Sequence, residues 1–240
     1  MLVEVCANSL ESALNAQKAG ADRIELCAEL GLGGITPSFG FIKTVKEQMN
    51  IPIHVLIRPR SGDFTYDQAE FESMLHDIQV CIDLGCDGIV AGVLKQNLTL
   101  DLKRTAILKK ASKHLKFTFH RAFDWITDPF EALKQLEDIG VDCILTSGQE
   151  QKAIDGFNLL WQLQQKATNC TIMAGSGINS ANALAFKEKG FKAIHLSGTK
   201  FYPKNANLSR LPMSSLNFFQ EDKKIISDLN LIQEVINKVK

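Results

Sequence analysis

The sequence has no excess of charge of either sign, because 27 lysines and arginines balance 27 aspartates and glutamates. Proteins that bind nucleic acid or an acidic membrane surface through their charge carry a basic patch, which usually shows as a positive balance. We therefore expect no nucleic acid and no membrane among the partners of this chain. A metal ion or a small anionic ligand is compatible with the composition.

Long apolar runs are also absent. No stretch approaches the ~20 consecutive apolar residues that a membrane-spanning helix needs. The N-terminal segment reaches the carboxylate of Glu4 without any apolar run. We therefore expect neither a signal peptide nor a membrane anchor.

The cysteines lack the spacing of a metal-binding motif. Six are scattered over 240 residues, at positions 6, 27, 81, 86, 143 and 170, and none forms a Cys-x-x-Cys pair. A chain of this length needs no disulfides to stabilise its fold. Free thiols are typical of a reducing compartment, so the cysteine usage predicts a cytoplasmic protein.

Strand and helix patterns alternate along the whole chain, with no linker or low-complexity segment. The predicted strands are Leu2–Ala7, Arg23–Ala28, Ile53–Arg58, Gly88–Val93, Lys116–His120, Cys143–Ser147, Thr171–Ala174 and Ala193–Ser197. This alternation favours a closed (β/α)₈ barrel over an open doubly wound sheet. We expect an α/β protein with a single (β/α)₈ TIM-barrel domain over residues 1–240, and an extended loop over Tyr202–Asp222 before the last helix.

A short repeat supports the closed ring. Gly20-Ala21-Asp22-Arg23-Ile24 recurs as Gly85-Cys86-Asp87-Gly88-Ile89, as Gly140-Val141-Asp142-Cys143-Ile144 and, more weakly, as Gly190-Phe191-Lys192-Ala193-Ile194. Each glycine stands where a helix is predicted to end in a left-handed residue. The copies precede the second, fourth, sixth and eighth strands, which indicates four repeats of two βα units.

Side chains along each predicted strand alternate between two faces. One set is apolar and is expected to pack against the helices: Val3, Val5, Ile24, Leu26, Ile53, Val55, Ile57, Phe117, Phe119, Ile194 and Leu196. The alternate set is expected to face the barrel interior: Glu4, Cys6, Glu25, Cys27, His54, Arg58, Thr118, His120, His195 and Ser197. Such a polar interior is unusual, because Val, Ile and Leu normally fill it.

Buried charges are costly unless they have partners, so the polar interior residues must bind each other, water or a ligand. One hypothesis is a self-satisfied ion-pair core, with Glu4 and Glu25 against Arg58 and the histidines. The other is a ligand site. The second is favoured because the polar residues gather towards the C-terminal ends of the strands, where barrels bind their ligands.

Several segments, taken in order from the first strand to the seventh, make the chain resemble the CutC family of copper-homeostasis proteins, described as (β/α)₈ barrels. The segments are Val3–Cys6, Gly20–Cys27, Gly33–Ser38, Ile57–Arg60, Gly62–Phe64, Thr118–Asp124, Leu145–Gln149 and Met173–Gly175. The sequence departs from the family pattern at Ile35, where threonine is expected, at Ser176, where glycine is expected, and at Lys95-Gln96-Asn97. The last forty residues match loosely. The resemblance implies a cytoplasmic protein that handles copper and binds Cu(I).

A metal site can be placed on the thiols. Cu(I) is a soft ion that prefers thiolate or thioether ligands. Cys6 and Cys27 are expected to face inward near the ends of neighbouring strands, which lie about 4.8 Å apart. The two thiols can share one Cu(I), with His120 or His195 as a third donor. A buried cysteine is also simply a good small core residue, and the other four cysteines are interpreted as structural.

A second hypothesis is an enzyme acting on a small phosphorylated or carboxylated substrate at the C-terminal rim. The residues assigned to catalysis are Glu4, Glu25, Arg58, His120, Asp124 and His195. Those assigned to binding the ligand are Arg60, Arg121, Ser147, Gly175 and Gly177. Carboxylates and histidines serve as general acids and bases, arginines hold anionic groups, and glycine turns after the seventh and eighth strands are frequent phosphate sites.

A third hypothesis is a binding module that uses the rim as a sensor pocket without catalysis. The metal and enzyme hypotheses separate on whether Cu(I) binding disappears with the two thiols, or an anion binds at the rim without them. Phe218 and Phe219, predicted to lie in the loop before the last helix, would permit a homodimer.

Overall fold

Eight parallel strands close into a barrel in chain order, and the last pairs with the first. They are β1 (Leu2–Ala7), β2 (Arg23–Leu26), β3 (Ile53–Leu56), β4 (Gly88–Ala91), β5 (Lys116–Phe119), β6 (Cys143–Thr146), β7 (Thr171–Gly175) and β8 (Ala193–Leu196). The protein is seen in a computed structural model that describes residues 1–203 and 223–240. The predicted (β/α)₈ barrel is confirmed.

The helices surround this barrel. They are α1 (Leu10–Ala19), α2 (Phe39–Lys46), α3 (Gln68–Asp83), α4 (Leu102–Ala111), α5 (Pro129–Asp138), α6 (Phe157–Lys166), α7 (Ala183–Glu188) and α8 (Leu229–Val239). Short 3₁₀ helices at Leu30–Leu32 and Arg121–Trp125 follow β2 and β5. None of the helices in the described part of the chain has both the length and the apolar character needed to cross a bilayer.

Local sequence explains where the helices begin. The side chains of Ser9, Ser38, Asp67 and Asp101 each accept a hydrogen bond from a backbone N–H in the first turn of the following helix. Asp128 does the same for α5, which has proline at its first position. Each such cap contributes about 1 kcal/mol to helix stability. These short polar residues therefore set the helix boundaries.

The glycine–aspartate repeat has a structural role in register. Each repeat glycine has a positive φ, between 67° and 92°, as predicted for the end of a helix. The aspartate two residues later accepts a hydrogen bond from the backbone N–H of a residue in the preceding strand. The pairs are Asp22 with Val3, Asp87 with Ile53 and Asp142 with Phe117, at 2.7 to 2.9 Å. The fourth repeat has Lys192, and its backbone carbonyl accepts from Leu2 instead.

The residues predicted to pack against the helices are all buried in one large apolar core. Two smaller apolar clusters are separate from this core. The first comprises Cys6, Cys27, Leu56 and Val90, and the second comprises Cys143, Leu145, Met173 and Ala193. Along each strand, the residues of these two clusters alternate with residues of the large core. The two-residue period therefore separated the interior face of the barrel from the face that packs against the helices.

The segment Tyr202–Asp222 was predicted as a loop, and its flanks differ from that prediction. Thr199–Pro203 forms β9, which pairs antiparallel with β10 (Lys223–Ser227). These short strands lie outside the barrel. β9 is largely exposed and β10 is buried only at Ile226 and Ser227, so neither has a two-residue burial pattern. Residues 204–222, including Phe218 and Phe219, lie outside the described residues. The homodimer therefore stays a prediction.

Candidate functional site

A cavity of about 310 Å³ opens at the C-terminal ends of the barrel strands, the end at which barrels of this class carry their sites. Predicted site residues in its lining are Cys6, Glu25, Arg58, His120, Arg121, Gly177 and His195. They come from six different strands or the loops that follow them, so the closure of the barrel brings them together.

The thiols of Cys6 and Cys27 are in contact. Cys6 lies in β1, Cys27 follows β2, and their sulfurs are 3.3 Å apart. Both residues are buried. Of the two, Cys6 borders the cavity and Cys27 does not. Cys27 is covered by Gly34, where a Cβ atom would lie 2.7 Å from Leu56 and 3.4 Å from Cys27. The hydrogen bond to Cys27, together with burial, raises the pKa of Cys6.

A carboxylate–histidine network extends from Glu25 and His195 in the cavity wall to Glu4 and Arg23 below it. Arg23 Nε donates to Glu4 Oε2 at 2.5 Å, and His195 Nδ1 lies 2.8 Å from Glu4 Oε1. The same nitrogen lies 3.4 Å from Glu25 Oε2. The hypothesis of an ion-pair core is met in part, because His195 is one of its expected cations. Arg23 takes the place expected for Arg58, which forms no ion pair with either carboxylate.

Burial acts differently on the two carboxylates. Burial alone would raise the pKa of Glu4, but the charge of Arg23 and the hydrogen bond to His195 outweigh it and hold the pKa at about 2. Burial raises the pKa of Glu25 to about 7, and the charge of Glu4 adds to this effect. Burial lowers the pKa of His195, but its bond to Glu4 outweighs this and the net shift is upward. Glu4 is therefore ionised at neutral pH.

Cys6, Glu25 and His195 form a cluster of metal-ligating groups. One potential ligand atom from each lies within 4.8 Å of the others. Of the two histidines predicted as a third donor beside the thiols, His195 belongs to this cluster. His120 does not belong to it.

The guanidinium of Arg58 is bound by backbone carbonyl groups. Its Nη1 donates to Leu32 at 3.1 Å and to Gly34 at 2.9 Å, and its Nη2 donates to Gly62 at 2.7 Å. The ring of Phe64 lies 5.0 Å from the guanidinium carbon. Among the described residues Nε has no hydrogen-bond partner, and no carboxylate forms an ion pair with Arg58. The positive charge of Arg58 is thus buried without a countercharge beside it.

His120 is a neutral hydrogen-bond donor. Its Nδ1 accepts a hydrogen bond from the backbone N–H of Ala122 at 3.1 Å, which places the proton on Nε2. Burial, followed by the charge of Arg58, lowers its pKa to about 3. Nε2 is buried and has no partner among the described residues. Gly92 makes room for the ring, since a Cβ atom there would lie 2.7 Å from it.

Asp124 and Ser147 lie behind Arg121 rather than in the cavity. Arg121 Nε donates to Asp124 at 2.8 Å, and its Nη2 donates to the Ser147 hydroxyl at 2.9 Å. Asp124 also accepts from the Thr146 hydroxyl and from the Ser147 backbone N–H. These bonds fasten the loop after β5 to the end of β6. The structure gives Asp124 the position of a residue that orients Arg121.

Three further predicted residues occupy different places. Arg60 lies off the cavity and pairs with Glu70 at 2.6 Å and with Asp63 at 3.1 Å. Gly175 lies below the cavity, where a Cβ atom would meet Leu145 at 2.4 Å. Gly177 lines the cavity with φ +70°. The glycine turn after β7 thus reaches the site only at Gly177.

Two site residues were missed in the sequence. Arg23 was interpreted only as the start of a strand, although its position two residues before Glu25 places it on the same face. Phe64 packs on Arg58 and lies 4.9 Å from the His120 ring. Nothing in the local pattern of Phe64 indicates this contact, because its loop folds back over β3 and β5.

A family model described as the CutC family matches residues 1–200. The CutC family protein of Salmonella agona (strain SL483) is 45% identical over 202 residues, which cover 84% of this chain and 82% of the relative. The corresponding protein of Salmonella typhi is also 45% identical over 202 residues, covering 84% of this chain and 78% of the relative.

Solved structures give the same likeness. The crystal structure of CutC from Streptococcus agalactiae, described as a copper homeostasis protein, matches with a TM-score of 0.78 and 33% identity. The match covers 82% of this chain and 98% of that one. The 3-hexulose-6-phosphate synthase of Salmonella typhimurium matches with a TM-score of 0.60 and 16% identity, covering 100% and 98%. At that identity the likeness shows the fold alone.

Proposed function

The chain belongs to the CutC family, and from that premise we propose that it acts in copper homeostasis by binding Cu(I) through Cys6 and Cys27. The observation that carries the proposal is the contact of the two sulfurs, 3.3 Å apart, at the floor of the barrel mouth. Thiolates are the ligands that soft Cu(I) prefers. Two of them on neighbouring strands form a binding site that no single cysteine provides.

The surroundings of the thiols supply a third donor. His195 and Glu25 have ligating atoms close to the Cys6 sulfur. Imidazole suits copper better than a carboxylate does, so His195 is the favoured third ligand. Its hydrogen bond to Glu4 orients the ring, which is the arrangement that metal-ligating histidines commonly have.

We place the protein in the reducing cytoplasm. All six cysteines are free thiols, including the two whose sulfurs touch. Paired thiols of this kind oxidise readily to a disulfide outside reducing compartments. A thiol copper site is therefore compatible only with a compartment that keeps both cysteines reduced.

The test is replacement of both thiols. Serine keeps the approximate size of cysteine but offers a hard, protonated oxygen, so the Cys6→Ser/Cys27→Ser protein is expected to lose at least about a thousandfold in Cu(I) affinity. The measurement is anaerobic competition with a chromophoric Cu(I) chelator. Cys143→Ser is the matched control, because Cys143 is also buried in a small apolar cluster separate from the main core. Unchanged affinity in the double variant, with a native melting curve, contradicts the proposal.

A second function, turnover of a small anionic substrate, is favoured by one observation. Arg58 is buried without a carboxylate partner among the described residues, next to the N–H donor of His120. Such a pair suits a carboxylate or phosphate group. In that case Glu25 and His195 are the acid–base candidates, and binding of the anion survives replacement of both thiols. Isothermal titration of the double serine variant with phosphate and small carboxylates distinguishes the two functions.

A further inference from the structure

The thiol pair can be reached from one side. Cys27 is fully buried, and Leu56 and Gly34 cover it. Cys6 borders the cavity at the C-terminal mouth. Within the described residues, a copper ion that comes to the two sulfurs therefore passes through this cavity. The residues that line the cavity therefore select which copper species can enter it.

The cavity wall carries two arginines, Arg58 and Arg121, and one carboxylate, Glu25, which lies 3.4 Å from His195. Arg58 has no carboxylate partner in the described chain, whereas the charge of Arg121 is matched by Asp124. The carboxylate of Glu4 is beneath the cavity and already bound to Arg23 and His195. An unaccompanied Cu⁺ ion would approach a buried positive charge, and low-dielectric walls strengthen that repulsion.

The same wall offers hydrogen-bond donors without acceptors. Arg58 Nε and His120 Nε2 are both buried N–H groups without partners among the described residues, and both side chains line the cavity. Each side chain is more than nine-tenths buried, with exposures of 6% and 5%. Buried donors of this kind are normally satisfied, and a carboxylate accepts from both a guanidinium and an imidazole.

We propose that the mouth receives Cu(I) as an anionic complex with a small thiol that carries carboxylate groups. The inference rests on the proposed Cu(I) function of Cys6 and Cys27. The carboxylate binds at Arg58 and His120 while the copper faces Cys6. The cavity, at about 310 Å³, is within the size range of pockets that enclose small organic molecules, which favours a low-molecular-weight carrier.

Transfer is then a ligand exchange that balances. Two copper–sulfur bonds to the carrier thiolates break, and two form to Cys6 and Cys27. The proton of each protein thiol moves to a departing thiolate, so two carrier thiols leave. Copper stays as Cu(I) throughout, and no oxidant or reductant takes part.

The experiment compares two copper donors that differ in one group. Cu(I) is supplied to the wild-type protein as its complex with N-acetylcysteine or with N-acetylcysteine amide, which matches the acid in size but lacks the carboxylate. Transfer is followed anaerobically by stopped flow at low and at high salt. The acid donor is expected to transfer at least about tenfold faster, and salt is expected to reduce the difference.

Variants of the cavity lining test whether the cavity causes the difference in transfer rate between the two donors. Arg58→Gln is expected to bring the ratio of the two rates close to one. Arg60→Gln is the matched control, because it removes an arginine of the same end that pairs with Glu70 outside the cavity. If Arg58→Gln fails to fold, competition on the wild type replaces it. N-acetyl-S-methylcysteine, which has the carboxylate but no free thiol, should slow the acid donor, and its amide should not.

The outcomes separate this inference from the function on which it rests. Equal rates for the two donors, with thiol-dependent Cu(I) affinity intact, overturn the anionic carrier and leave the copper site standing. Cu(I) affinity that is independent of Cys6 and Cys27 overturns the proposed function itself. A preference for the acid donor that persists in Arg58→Gln and fails to respond to the competitor also overturns the inference.

Discussion

An arginine, a buried histidine and a cysteine line the cavity at each end of the barrel. At the N-terminal end the three are Arg23, His54 and Cys143. At the C-terminal end they are Arg58, His120 and Cys6. Both histidines have a buried ring nitrogen without a partner among the described residues. The two ends therefore differ in how these residues are paired rather than in residue type.

Charge pairing is the first difference. Arg23 binds Glu4 at 2.5 Å, and Asp142 at the same end binds Lys116 at 2.7 Å and Lys109 at 3.5 Å. Arg58 at the other end binds only carbonyl oxygens among the described residues. The N-terminal end has its countercharges built in. At the C-terminal end, the charge of Arg58 has no carboxylate partner among the described residues.

Thiol pairing is the second difference. Cys143 packs with Leu145, Met173 and Ala193, and burial raises its pKa to about 12. Cys6, which like Cys143 borders a cavity, contacts a second thiol. Cys143 has the apolar neighbours of a small core residue, whereas Cys6 has a second thiol beside it, the arrangement proposed above to bind Cu(I). Two buried cysteines of the same chain thus differ in their chemistry because different side chains surround them.

The largest expected effect is at Glu4, the carboxylate that serves both ends through Arg23 and His195. Glu4→Gln leaves these two cations without their anion, so the free energy of unfolding is expected to fall by about 3–5 kcal/mol. Glu25→Gln is the control, because its pKa of about 7 means that it is partly protonated already, and its effect should be much smaller. Urea denaturation at neutral pH measures both. Equal losses would mean that the two carboxylates are interchangeable.

A pH-dependent effect is expected for the N-terminal histidine. Burial lowers the pKa of His54 to about 4, so the folded protein holds it neutral, whereas the unfolded chain protonates it near pH 6.5. Protonation therefore favours unfolding, and the stabilisation is lost as pH falls from 6.5 towards 4. The difference in unfolding free energy between wild type and His54→Gln should shift by about 2 kcal/mol against the wild type between pH 7 and 5. A pH-independent difference contradicts the neutral buried histidine.

His120→Asn is expected to affect ligand binding more than stability. The side chain of His120 takes part in one hydrogen bond among the described residues, accepting from the backbone N–H of Ala122, and it has no hydrogen bond with Glu4 or Glu25. The free energy of unfolding should fall by about 1 kcal/mol or less. Binding of an anionic ligand should weaken about tenfold or more, because a charge-assisted contact contributes about 1.5–3 kcal/mol. A denaturant melt that shows a loss near 3 kcal/mol would make His120 a structural residue like those at the other end.

The smallest expected effect is at the turn after β7. Ser176 has φ +83°, a backbone conformation that favours glycine. Its hydroxyl donates to the Gln151 carbonyl at 2.7 Å. Ser176→Ala removes that bond and keeps the strain, whereas Ser176→Gly removes both. The glycine protein should be more stable than the alanine protein by about 1 kcal/mol in thermal unfolding. The reverse order would mean that the turn carries no strain.

The sequence by itself determined the barrel and its two faces. Period-two alternation, helix caps and the glycine–aspartate repeat are local features, and each acts over a few residues. They were sufficient to identify the eight strands and to predict that Cys6 and Cys27 are neighbours. The strands β9 and β10 were not identified, because they lie outside the barrel and their residues show no two-residue burial pattern.

Only the tertiary structure decided which charges meet. The register pairs Glu4 with Arg23 and Cys6 with Glu25 across β1 and β2, and strand order alone does not specify it. The loops that fold over β3 give Arg58 its carbonyl partners, and the turn at Ala122 fixes the proton of His120. Pairing depends on distances of a few ångströms between segments far apart in the chain. Residue types at each end were readable in the sequence, but their neighbours were set by closure of the barrel.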